Sequence, residues 1–439
     1  MKKAITFCLL ACVLCIAIPW ASATTVEYAV ADVGYNLQPE DINDNAQIVG
    51  WQETSQVDPY PDYILQHVYR GFLWENGTLT DIGTLGVGTS CQAHGINNEG
   101  QIVGWSRFET SSRKHGFVWH DGAMTDIGPE EGMSWANDIN ESGVIAGWIG
   151  TPSVGGACYW DSSGFHALGT LGGNFSWAYG INDLGDVVGY SAKTSWGFHA
   201  FLWHDGIMGD LNPTTGVYAA AHAVNNKGQA VGYVDSPYTN TAYLWDNGQM
   251  TMLGNLGGHW CEAYDINDSS QIVGYSQIPI LNPHAVIWEN GLTRDINPSG
   301  WTFSVAKAIN DKGQIVGHGY NGSENRAFML TPTLIVPMDI EPRDSLNVIK
   351  LGSGGWTIVL ISSDSGFNAA TIDVSTVQFA GAQPSRWVDR DTDRDGDVDM
   401  TFYFKTKALN LTASDTEATL TGVTTSGKTF RGTDIVTVL

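Results

Sequence analysis

The chain has 439 residues and a formal net charge of −25, with 52 Gly, 17 Trp and 16 Tyr and only 15% charged residues. A chain this acidic repels phosphate backbones and anionic lipid heads, which argues against nucleic acid and membrane surfaces as partners and favours cations. Abundant Gly and aromatics with few charges read as strands and turns, not helices.

In chain order, the first element has the form of a secretory signal: Lys2 and Lys3, an apolar run from Ala4 to about Pro19, then Ala21-Ser22-Ala23 before Thr24. Residues 1–23 are therefore expected to be removed, leaving a secreted or cell-surface protein; a cut at Cys12 would instead make a lipoprotein. No later stretch has the length of a membrane span. Cys8, Cys12 and Cys15 leave with the signal, and Cys91, Cys158 and Cys261 are too few for a disulfide framework.

From there one phrase recurs: an aliphatic residue, Asn, a turn, then a short apolar run ending in Gly. The copies are DINDNAQIVGW, GINNEGQIVGW, DINESGVIAGW, GINDLGDVVGY, AVNNKGQAVGY, DINDSSQIVGY and AINDKGQIVGH, with the Asn at 43, 97, 140, 182, 225, 267 and 310. Successive steps are 54, 43, 42, 43, 42 and 43, a tight period broken by one insertion, Gln52 to Tyr69. A second phrase, such as HAFLW ending at Trp203, interleaves at the same period and precedes a TDIG-like strand. Four short strands in ~42 residues are the size of a propeller blade. The last HAFLW copy, Arg326 to Leu330, lacks its TDIG strand, whereas Val30-Ala31-Asp32-Val33-Gly34 is an orphan one. Pairing the two predicts an all-β, seven-bladed β-propeller over 24–332, closed by its N-terminal strand so that no sheet edge stays open. Cys91 and Cys261 share a small-residue slot on the presumed innermost strand, and Cys158 replaces a core Phe, so all three read as buried small hydrophobes.

These residues resemble the HAF-repeat family of probable extracellular proteins, through His199-Ala200-Phe201 and its in-phase copies over roughly 26–332. The resemblance implies a secreted propeller-like array and carries no activity with it. The drift of that His, to Arg in Arg326-Ala327-Phe328, argues against a catalytic role for it.

After Pro332 the period stops. Alternating runs such as WTIVLIS, DMTFYFK and TEATLTGVT predict a small β-sandwich-like domain over 333–439, similar to modules appended to secreted microbial proteins. Its loop carries Asp391, Asp393, Asp395, Asp397 and Asp399 with Gly396 at the turn, an oxygen-rich set that suits calcium as a cofactor. Position 12 is Phe402, so the loop lacks the bidentate Glu of an EF-hand.

For function, the variable links are expected to gather on one propeller face, where Tyr60, Tyr63, Trp196, Tyr238, Trp177 and Trp260 are candidate ligand-binding residues, with a glycan or a surface protein as partner. Packing between blades is the competing reading for Trp177 and Trp260, which share repeat positions. The favoured expectation is a monomeric, non-enzymatic binding protein. The alternatives are a structural or adhesive surface protein and a polysaccharide hydrolase or lyase, for which Glu130, Glu131, His94, His222, His259 and Glu262 are the symmetry-breaking candidates.

Overall fold

A computed structural model of the chain describes residues 25–57, 67–107, 113–151, 154–193, 197–212, 218–236, 239–279, 282–342 and 344–439. Among these, regular structure is strand throughout except for two single 3₁₀ turns, Ala369–Thr371 and Thr406–Ala408. No helix among them is long and apolar enough to cross a membrane. Contacts divide the chain into Tyr28–Thr331 and a second unit, Pro332–Leu439 with the residues up to Glu27.

In the first unit each repeat opens with a strand that ends at its Asn: Leu37–Ile42, Cys91–Ile96, Met133–Ile139, Ser176–Ile181, Tyr218–Val224, Cys261–Ile266 and Phe303–Ile309. Six repeats form four-stranded antiparallel sheets in chain order. In the seventh, the third strand, Asn325–Ile335, is joined by Thr25–Tyr35 from the N-terminal end. Arg326 pairs with Asp32 there, as His115 pairs with Asp126 at 2.9 Å and His199 with Asp210 at 3.0 Å in whole repeats. The His of the HAF phrase thus ties third strand to fourth, which accounts for its recurrence without any chemistry.

The recurring Asn is a structural node. The side-chain oxygen of Asn225 accepts from the backbone of Lys227 and Gln229, shaping the turn, while Nδ2 donates to Gln229 and to the carbonyl of Asn267 in the next repeat. The same inter-repeat bond links Asn43 to Asn97, Asn97 to Asn140, Asn140 to Asn182, Asn182 to Asn225 and Asn267 to Asn310. Asn310 then donates to the carbonyl of Asn43 at 2.9 Å, so the circuit returns to its start. Buried amides left unpaired cost about 1–3 kcal/mol each, which explains why no other residue appears at these positions.

Apolar cores lie between neighbouring sheets; one joins Val49 and Ile82 of the first repeat to Ala93, Ile102 and Phe117 of the second. Another joins Ala308, Val316 and Ala327 of the last repeat to Ile42, Ile48 and Phe72 of the first. Cys91, Cys158 and Cys261 are buried free thiols, and burial holds all three well above the usual thiol range.

In the second unit two sheets share one core. Val359, Ile361, Phe402 and Phe404 come from one sheet and Val377, Phe379, Leu420 and Phe430 from the other. The Asp-rich loop is the turn of a hairpin, because Arg386–Arg390 pairs antiparallel with Asp399–Lys405.

Candidate functional site

The Gly that ends each apolar run sets up the site. A Cβ at Gly104 would lie 2.0 Å from the carbonyl oxygen of Gln92, and one at Gly189 would lie 1.9 Å from that of Trp177. The first strand crosses this Gly so closely that its register slips by one residue just downstream, in every repeat. A bulge of this kind leaves one residue out of the ladder and re-aims its side chain. The bulged residues stand three before each Asn: Glu40, His94, Asn137, Tyr179, His222, Tyr264 and Lys307. All seven line one cavity of about 420 Å³.

The surroundings are fixed by the scaffold, yet this position holds nearly every side chain useful for proton transfer. Burial pushes the Glu40 carboxyl up, but Lys307, His94 and the Trp51 indole N–H beside it pull it below the usual carboxylate range. Lys307 Nζ is 3.5 Å from Glu40 Oε2 and 4.7 Å from the Tyr264 ring centre.

Both imidazoles are pinned. His222 Nδ1 donates to the carbonyl of Ala263 at 3.0 Å, and its ring stacks on Tyr264 at 5.3 Å and meets Tyr179 edge-on. Asn137 uses Nδ2 on the carbonyl of Ala178, which leaves its Oδ1 to accept from His94 Nδ1 at 3.3 Å. In both histidines the proton therefore sits on Nδ1 and the lone pair on Nε2. Burial lowers both imidazole pKa values, against the opposing pull of Glu40 on His94 and of Glu262 on His222.

Around them lies an aromatic wall in which Trp135, Trp148 and Trp177 stand within 5.1 to 5.5 Å of one another and Tyr179 leads on to Tyr190. Glu262, two residues before Tyr264, is hydrogen-bonded by the Tyr264 and Tyr275 hydroxyls and by Asn240. Lys114 lies 3.6 Å above the Trp105 ring, and burial brings its pKa down to about 8.

Beside the cavity, Asp41, Asp138 and Asp265 each accept two backbone N–H bonds, one from the next residue and one from the following repeat. Burial nevertheless raises all three, Asp138 to about 7 and Asp265 to about 6.

Of the six symmetry-breaking candidates expected from sequence, the structure brings His94 and His222 into the cavity lining, with Glu262 behind them beside Tyr264 and Tyr275. Glu130, Glu131 and His259 are exposed and do not line the cavity. Glu40, Asn137, Tyr179, Tyr264 and Lys307 were missed. Their signal is a position that varies in the copies while its neighbours repeat.

Of the expected ligand-binding aromatics, Tyr60, Tyr63, Trp196 and Tyr238 lie outside the described residues. Trp177 is part of the wall, stacked on Trp148 of the preceding repeat at 5.2 Å, whereas Trp260 is 54% exposed. In the second unit, carboxylates of Asp391, Asp393 and Asp395 lie within 4.8 Å of one another. Asp397 is exposed, and Asp399 is buried, accepting from Ser363 and Thr392 and clamping the hairpin.

No protein-family model matches the chain, and no curated protein matches it by sequence. Solved structures are similar in fold. The β-propeller domain of the Trilobed protease from Pyrococcus furiosus is 11% identical, over 68% of this chain and 94% of that one, with a TM-score of 0.49. An acylaminoacyl peptidase from Pyrococcus horikoshii is 11% identical over 76% of this chain and 59% of its own length (TM-score 0.48). A fungal alcohol oxidase of the AA5 family is 12% identical over 94% and 99% (TM-score 0.46). The expectation of a non-enzymatic binding protein is corrected here: peptidases and an oxidase stand among the similar structures, so the architecture does not set this chain apart from enzymes.

Proposed function

We propose that the chain is an enzyme of the acid–base type, working in the axial cavity of a seven-bladed β-propeller that its N-terminal strand closes. The observation that carries this reading is the ring of bulged residues. A position needed only for packing would repeat like the Asn and Gly around it, whereas this one offers Glu, two His, Asn, two Tyr and Lys to a shared space. Keeping such groups buried costs about 1–3 kcal/mol for each one poorly paired, a cost the repeat could avoid by using an apolar residue there.

In this reading His94 and His222 are the bases, each offering the lone pair of Nε2, and Lys307 polarises a substrate oxygen. Trp51, Tyr179 and Tyr264 receive a flat or apolar part of the substrate and thin out the water around it. The substrate is a small carbonyl compound, in keeping with the cavity volume.

The test is exchange chemistry. The protein is incubated in D₂O with a panel of small carbonyl compounds, and loss of C–H signal is followed by proton NMR. Exchange or turnover that falls at least ~100-fold when His94→Gln and His222→Gln are combined, with an unchanged melting temperature, supports the reading. Activity that survives in this double variant sinks it.

The signal-like segment before Thr24 and the HAF-repeat resemblance add export to the proposal. For the second unit we propose calcium bound by Asp391, Asp393 and Asp395, with Asp397 alongside and Asp399 bracing the hairpin. Thermal unfolding with millimolar Ca²⁺ against chelator tests it: a bound ion raises the second unit's transition, and superimposable curves remove the claim.

A further inference from the structure

We infer that His94 and His222 act as a pair on opposite faces of one substrate carbon, so that the enzyme inverts a stereocentre next to a carbonyl. This rests on the acid–base reading above and adds to it a reaction class.

The placement carries the inference. His94 belongs to the second repeat and His222 to the fifth, three repeats apart one way and four the other, the widest separation seven positions allow. Lys307, in the seventh repeat, stands two repeats from each. A carbonyl oxygen held by Lys307 Nζ therefore sets its α-carbon between the two imidazoles. Both rings are anchored through Nδ1 on the neighbouring repeat, His222 by Ala263 and His94 by Asn137, so both offer the same atom, Nε2. A single catalytic base would need only one such arrangement.

The step balances without an oxidant or a further reactant. One Nε2 takes the α-proton as the C–H bond breaks, and the electron pair moves onto the carbonyl oxygen as an enolate facing Lys307. The other imidazole, which has first taken a proton from water onto its own Nε2, delivers that proton to the opposite face while the electron pair returns to form the new C–H bond. The product is the stereoisomer of the substrate. The two imidazoles have exchanged protonation states and reset by proton exchange with solvent.

The substrate class is an α-substituted carbonyl compound with a flat substituent, matched to Trp51, Tyr179 and Tyr264, the rings that line the cavity beside the two imidazoles.

The experiment supplies the two enantiomers of an aryl α-hydroxy acid, an aryl α-amino acid and an aryl α-methyl ketone separately, in D₂O, to the whole chain. Deuterium incorporation and optical rotation are read together. The wild-type protein is expected to convert each enantiomer of a substrate toward the racemate with deuterium at the stereocentre. His94→Gln should exchange one enantiomer only and His222→Gln only the other, both with inversion reduced at least ~100-fold. Lys307→Met should slow both enantiomers alike, and melting curves confirm that each variant is folded. Exchange of both enantiomers through one histidine, or inversion surviving either substitution, overturns the two-base inference and leaves the acid–base reading standing. Absence of exchange and turnover in the wild-type protein overturns both.

Discussion

Two positions only three residues apart on the same strand behave in opposite ways. At one, every repeat has Asn, and each Asn bonds to the next until the last reaches the first. At the other, the bulge, the repeats carry five different side-chain types over one cavity. The backbone geometry is the same at both in every copy, so it cannot account for the difference. What sets them apart is whether the side chain has a partner supplied by symmetry. The Asn does, and substitution there breaks a bond that six other repeats make identically. The bulged side chain meets a single neighbouring carbonyl, used by Asn137 at Ala178 and by His222 at Ala263, and with no other fixed partner it is free to diverge toward chemistry.

The strongest way to break this comparison is Asn225→Ala. It deletes four hydrogen bonds, one of them to the next repeat, so we expect a loss of about 3–5 kcal/mol in chemical unfolding of the first unit. A loss under ~1 kcal/mol would mean that the circuit is incidental. Next, Gly189→Ala drives a Cβ into the Trp177 carbonyl and flattens the bulge that aims Tyr179; overpacking of this kind costs about 2–3 kcal/mol.

A smaller effect comes from pH. Asp138 and Asp265 have folded pKa values of about 7 and 6, raised by burial above the unfolded carboxylate. Their stabilising contribution is therefore complete below the unfolded value near 4 and is lost as pH rises through 6 to 7. Asp138→Asn removes that titration, so the stability advantage of wild type over the variant should shrink between pH 4 and 7.5; a constant gap would mean that Asp138 titrates alike in the folded and unfolded chain. Smallest of all, His222→Gln should leave the unfolding free energy within ~1 kcal/mol of wild type while removing inversion of the stereocentre. Equal damage to both would make the bulged residue part of the scaffold after all.

Much of the fold was legible because it repeats. The Asn and Gly spacings place the strands, and Asp32 stands in the orphan TDIG-like phrase that supplies Arg326 with its partner. The site was half legible. His94, His222 and Glu262 stood out as chemical residue types, but so did Glu130, Glu131 and His259, and nothing local separates the two groups. What separates them is the bulge, a consequence of close approach between strand and Gly that a hydrophobic pattern does not record. Lys307 and Glu40 are ordinary surface residues by type, and only the register slip turns them toward the cavity. Trp177 shows the same limit: of the two readings open to it, packing between repeats is met by Trp148 in the preceding sheet, a neighbour set by inter-sheet distance and not by sequence spacing.

The strand Thr25–Tyr35 also fixes when the molecule becomes whole. The last repeat is completed by the chain's earliest described strand, and Asn36 donates to the carbonyl of Asn325 where the two ends meet. In the proposed ring the start of the chain must wait, unpaired, until the seventh repeat has emerged. A circular permutant that joins Arg326–Leu330 directly to Val30–Gly34 and opens a link between two other repeats would move that seam. Its folding rate would then show how long the ends search for each other in the natural order.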